Sequence, residues 1–294
     1  MSKVSANGIE IEVDVVGPED GAPVLLIMGL GAQLTLWPED FVARLADAGH
    51  RVIRFDNRDV GLSTKLDHAG LPDFVALMAS LRGGRPTPVP YLLDDMAADA
   101  VGVLDALAIP KAHVVGLSMG GMIAQIVASR YADRTRSLTA IMTTTGRAGL
   151  PEGSPEARAA LLAVPSGNDR ASLIAHGKKV RRALQSPAWP MDDADLETFV
   201  AAQIDRSFHP EGGARQYAAI MASGDRVGLL PQVKAPTLVL HGEADPILPL
   251  AHGQDIASLV HGARMRSYAG WGHDLPAALV PELTGQLADH FARA

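Results

Sequence analysis

Ser118 stands in the stretch His113-Val114-Val115-Gly116-Leu117-Ser118-Met119-Gly120-Gly121. An apolar run precedes it, and a helical pattern from Met119 to Tyr131 follows. A strand that turns straight into a helix strains the backbone of the turn residue. Its side chain is then held at the convex tip, beside the positive end of the helix. Glycines two before and two after are needed there, because a Cβ would strike neighbouring backbone. A serine hydroxyl at its ordinary pKa is a poor nucleophile; it needs a base and a third group to hold that base. Asp245, in His241-Gly242-Glu243-Ala244-Asp245-Pro246, and His273, in Gly270-Trp271-Gly272-His273-Asp274, each follow an expected strand of their own. Serine, aspartate and histidine in that chain order point to acyl transfer at a carbonyl carbon. Glu243, Asp255 and Asp274 are rivals for the acid. Glu243 lies nearer its strand, Asp255 falls on a helix, and Asp274 is expected to cap the last helix.

Such chemistry also needs donors for a developing oxyanion. Gly29-Leu30-Gly31 follows an apolar run, and small residues there let backbone approach a substrate. The N–H groups of Leu30 and Met119 are the expected donors, the second aimed by the start of a helix. Gly29, Trp37, Trp189, Phe199, Phe208, Tyr217 and Met221 are the candidate pocket walls, on the ground that binding cavities are mostly apolar. None of these steps calls for a metal or an organic cofactor.

The elements that must carry these residues follow from periodicity. Ser2 to Ala6, Asn7-Gly8 and Ile9 to Val16 read as a hairpin around a tight turn. Val24 to Met28, Arg51 to Phe55, the run before Ser118, Ser137 to Thr143, Pro236 to His241 and Arg264 to Tyr268 read as strands. The solid apolar runs among them belong in a parallel sheet covered on both faces. Helical spacing marks Trp37 to Ala48, Leu92 to Leu107, Ala251 to Val260 and Pro276 to Ala292, the last with Leu279, Leu283, Leu287 and Phe291 along one side. Lys65 to Pro90 has no clear period and reads as a surface loop. Strands stop between about Arg147 and Gly224, where helical patches take over. The expected class is therefore α/β: a mostly parallel eight-stranded sheet flanked by helices, with a helical cap inserted. Residues 1–146 and 224–294 form the expected core, and 147–223 the cap.

Bulk properties narrow the field. The chain of 294 residues is 47% hydrophobic and 20% charged, with a net charge of −7, the balance of a soluble globular protein. Its densest basic run, Lys178-Lys179-Val180-Arg181-Arg182, is too short to track a phosphate backbone and reads as one helix face, so nucleic acid is not an expected partner. There is no cysteine, which excludes disulfides, thiolate metal sites and a cysteine nucleophile. Met1-Ser2-Lys3-Val4-Ser5 lacks the apolar core of a signal peptide. The glycine-interrupted span from Ala112 to Ser129 suits a buried strand and helix better than a membrane helix. A cytoplasmic protein with no membrane partner is expected; oligomeric state is not encoded in these features.

The stretches Ile53-Arg54-Phe55-Asp56-Asn57-Arg58-Asp59-Val60-Gly61-Leu62-Ser63-Thr64 and Val114-Val115-Gly116-Leu117-Ser118-Met119-Gly120 resemble the serine esterases of the α/β-hydrolase superfamily. Within it they are most similar to the bacterial branch of aclacinomycin methylesterases and related carboxylesterases. The resemblance spans nearly the whole chain. It implies the α/β-hydrolase fold and a cofactor-free carboxylesterase for small to medium hydrophobic esters, working through Ser118, His273 and Asp245 and an acyl-enzyme intermediate. The same triad would serve a lactonase, a carbon–carbon bond hydrolase or a perhydrolase, and a non-catalytic ligand-binding protein is the rival of another class. Relatives of this fold that attack alkyl carbon carry aspartate where Ser118 stands. One departure is notable: the loop after the third strand often begins His-Gly in the superfamily, whereas here it begins Met28-Gly29. Arg58 and Asp59 are expected to tie loops together beneath the site rather than to react.

Overall fold

The computed structural model describes residues 1–294. Eight strands form one sheet: β1 (Ser2–Ala6), β2 (Ile9–Val16), β3 (Ala22–Ile27), β4 (His50–Phe55), β5 (Ala112–Leu117), β6 (Thr135–Ile141), β7 (Thr237–Gly242) and β8 (Arg264–Tyr268). Their spatial order is β1-β2-β4-β3-β5-β6-β7-β8. The hairpin strands pair antiparallel, with Asn7 and Gly8 at positive φ in the turn. β2 is antiparallel to β4, and every later pair is parallel. Parallel pairing requires a crossover after each strand, and the crossovers are helices. All parallel strands therefore end at one edge.

The helices are α1 (Glu39–Asp47), α2 (Phe74–Arg82), α3 (Leu93–Ala106), α4 (Met119–Arg130), α5 (Pro155–Leu162), α6 (Arg170–Leu184), α7 (Asp193–Arg206), α8 (Pro210–Ala222), α9 (Ala251–Leu259) and α10 (Val280–Phe291). Alternate strand residues face opposite helical layers. Leu25, Ile53 and Val114 pack with α3, α4 and α9, whereas Val24, Val52 and Val115 pack with α1 and α10. Leu279, Leu283, Leu287 and Phe291 are all buried. α5 to α8 lie between β6 and β7, the region without strand patterns. Their starts are readable: Ser154, Asp169 and Asp192 each accept a hydrogen bond from a first-turn N–H.

The stretch 65–90 departs from the expected loop, because it contains α2. Asp73 accepts from the Ala76 N–H and starts the helix. Only Leu77 on it is buried, while Val75 is 83% exposed. Apolar residues that do not share one side leave no period to read. No helix is long and apolar enough to cross a membrane.

Candidate active site

Ser118 directly follows β5, at φ 55° and ψ −119°. Few residues with a Cβ adopt this backbone, and it persists because the surroundings fix it. The glycines flanking it are required by close contact. A Cβ on Gly116 would lie 2.1 Å from the Gly120 carbonyl oxygen, and one on Gly120 2.0 Å from that of Ile27.

β7 and β8 deliver the other two groups to the same edge. His273 Nε2 is 2.9 Å from Ser118 Oγ, and its Nδ1 is 2.7 Å from Asp245 Oδ2. Asp245 Oδ1 accepts from the N–H groups of Ile247 and Leu248, both at 2.9 Å. A carboxylate facing Nδ1 assigns the proton to that nitrogen and leaves Nε2 free to accept from the hydroxyl. The rival acids are engaged elsewhere. Glu243 accepts from Ser267, Asp255 from Thr145 and Arg147, and Asp274 from the Ser186 N–H and hydroxyl. Asp274 therefore does not cap the last helix. It ties the histidine loop to the segment after α6, where the Gly272 N–H also donates to Ser186 Oγ at 3.0 Å, and the His273 N–H donates to the carbonyl of Leu184, the last residue of α6, at 2.8 Å.

The loop after β3 runs against the serine; a Cβ on Gly29 would be 3.2 Å from that of Ser118. The Leu30 N–H donates to no protein acceptor. Met119, as the first residue of α4, has no intrahelical acceptor for its own N–H. Two amides hold the loop that Met28 begins. Asn57 Nδ2 donates to the Met28 carbonyl at 3.0 Å, and Gln216 Oε1 on α8 accepts from the Gly31 N–H at 2.8 Å. Gln216 also donates to the Arg58 carbonyl. Nothing in the sequence marked Gln216, since a glutamine on a helix carries no local signal.

Arg58 and Asp59 tie loops beneath the site. The Arg58 guanidinium forms two bonds of 2.6 Å to Asp99. Asp59 takes two from Arg215 of α8 and one from the Tyr91 hydroxyl. Burial pushes the Asp59 carboxyl up, but these bonds outweigh it and hold it below the ordinary carboxylate value.

A cavity of about 370 Å³ opens over Ser118 and His273, lined also by Gly29, Leu30, Met119, Met122, Tyr217 and Ile220. A second, of about 270 Å³, adjoins it and holds Phe199 and Phe208. Three expected wall residues line neither. Trp37 is fully buried in the core, its ring centroid 5.2 Å from that of Phe41. Trp189 packs against the α10 side of the core. Met221 sits one turn beyond Tyr217 on α8. For the two tryptophans an apolar side chain found core instead of cavity. The basic run also divides: Lys178 and Arg182 pair with acids of α7, while Arg181 lines both cavities.

The sequence pattern of the alpha/beta hydrolase fold family matches residues 22–276. Rhodomycin D methylesterase DauP of Streptomyces sp. (strain C5) is 30% identical over 297 residues, covering 94% of this chain and 92% of its own. Rhodomycin D methylesterase DnrP of Streptomyces peucetius is 30% identical over 296 residues, covering 94% and 92%. A meta-cleavage product hydrolase from Pseudomonas fluorescens IP01 superposes with a TM-score of 0.76 at 20% identity, covering 100% of this chain and 98% of that one.

Proposed function

Because this chain belongs to the alpha/beta hydrolase fold family, we propose that it is a carboxylic ester hydrolase whose nucleophile is Ser118. The observation that carries this reading is the continuous hydrogen-bonded line from Ser118 Oγ through His273 to Asp245. His273 Nε2 takes the hydroxyl proton as Oγ attacks the ester carbonyl. Asp245 keeps the ring in the required tautomer and stabilises the imidazolium. The Leu30 and Met119 N–H groups hold the oxyanion; loss of one such donor typically costs about 10² to 10³ in rate. His273 then protonates the leaving alcohol, and the acyl group remains on Ser118. Water enters, gives a proton to Nε2 and attacks the acyl carbon, releasing the acid and restoring the serine.

The apolar lining favours small to medium hydrophobic esters. Similarity to methylesterases makes methyl esters the first natural-type substrates to assay. The test is hydrolysis of a p-nitrophenyl acyl ester by the wild type and Ser118→Ala. Turnover is expected to fall on the order of 10⁴-fold or more, and equal rates remove the serine from the chemistry. A lactone is opened by the same steps with the leaving alcohol still tethered, so a lactone series belongs in the same assay.

A further inference from the structure

Arg181 is the one Lys, Arg, Asp or Glu side chain lining either cavity. It lies on the inner side of α6 with Leu173, Gly177 and Leu184, a cation within an apolar stripe. Of the other Lys and Arg residues of α6 to α8, Lys179 is exposed to water, and Arg170, Lys178, Arg182, Arg206 and Arg215 each have a carboxylate partner. Arg181 has none, and its guanidinium donates no hydrogen bond within the protein. One face of it is occupied, since it stacks over the Phe199 ring at 5.0 Å from the centroid. Burial lowers its pKa from the ordinary arginine value, opposed only by the field of Asp274, whose carboxylate is engaged by Ser186. A half-buried cation without a counter-charge is costly, and a protein ordinarily supplies one.

Resting on the esterase reading above, we propose that Arg181 anchors a carboxylate on the substrate, so that the natural ester has an apolar body and one free carboxylate at the junction of the two cavities. The planar fork matches a carboxylate through two parallel N–H···O bonds. A single cation balances a monoanion; a phosphate monoester, close to a dianion at neutral pH, would call for more.

The test uses the full chain and two series followed by acid release in a pH-stat. The first compares monomethyl esters of C4 to C8 dicarboxylic acids with methyl esters of monocarboxylic acids of equal length. The second places the carboxylate on the alcohol side, as O-acetyl hydroxy acids against alkyl acetates. The wild type is expected to favour the carboxylate-bearing member by about 10- to 100-fold in kcat/KM at one length or more, as befits a charge-assisted pair. Arg181→Met should bring that ratio to about one, and Arg181→Lys should restore part of it. Preference for the neutral ester throughout both series overturns the inference. So does a ratio unchanged in Arg181→Met with only the melting temperature lowered, which leaves the guanidinium as packing for Phe199. If Arg181→Met does not fold, the wild-type ratios still decide. Absence of Ser118-dependent turnover on every ester, neutral or charged, is a different result and sinks the esterase reading itself.

Discussion

Each of the proposed reacting groups depends on one or two atoms that fix its state. His273 is an effective base only while Nδ1 holds the proton, and Asp245 Oδ2, at 2.7 Å, is what keeps it there. Asparagine at 245 can present its N–H₂ instead and reverse the tautomer. Asp245→Asn is therefore expected to lower kcat by about 10³ to 10⁴ while the fold survives. Steady-state kinetics beside a thermal melt check this, and a loss of less than tenfold removes the carboxylate from its role. At this scale the sequence was most legible where chemistry restricts residue type. Ser118, Asp245 and His273 each sit in a recognisable turn after a strand. Arg181 was not legible: the run Lys178 to Arg182 reads as one helix face, and Arg181 stands as near in angle to Lys178 as to Leu184. Trp37 shows the reverse limit: size and apolarity do not distinguish a cavity wall from the core.

Elements set where such residues meet. The strand–turn–helix at Ser118 follows from local sequence, as do the caps at Ser154, Asp169 and Asp192. Contacts between elements distant in sequence do not. α8 touches the loop after β3 through Gln216, a link across 185 positions. Its Oε1 fixes the Gly31 N–H, next to the proposed donor at Leu30. Gln216→Ala should let that loop relax and lower kcat by about tenfold with a smaller change in KM, since an oxyanion interaction strengthens only in the transition state. A variant with wild-type kcat would show that the loop keeps its shape unaided. α2 was invisible for a related reason: with Leu77 alone buried, its helical state owes more to the Asp73 cap than to a periodic face.

For the whole molecule, the alternation of strands and helices announced a parallel sheet, and the pairing order bears this out. Charge within the core is another global property. Burial pushes His113 down to about 3 and His290 down to about 4, from an unfolded value near 6.5. The unfolded chain therefore binds more protons than the native one between these values. Stability from the two neutral rings is complete above about pH 6.5 and is lost as pH falls toward 4, by up to about 1.4 kcal/mol per pH unit for each ring. Urea midpoints measured from pH 7.5 to 4.5 should decline through this window. Replacing His113 with Gln should flatten the decline, and a slope unchanged by that substitution would place the proton uptake elsewhere. Finally, the bonds from His273 to Leu184 and from Asp274 to Ser186 have a mechanical corollary. The end of α6, a roof over Ser118, is fastened to the loop that carries His273. Hinging the roof upward would carry the imidazole off the hydroxyl. Esters must then thread in past standing walls, as through a porch, because a jaw that gapes would disarm itself.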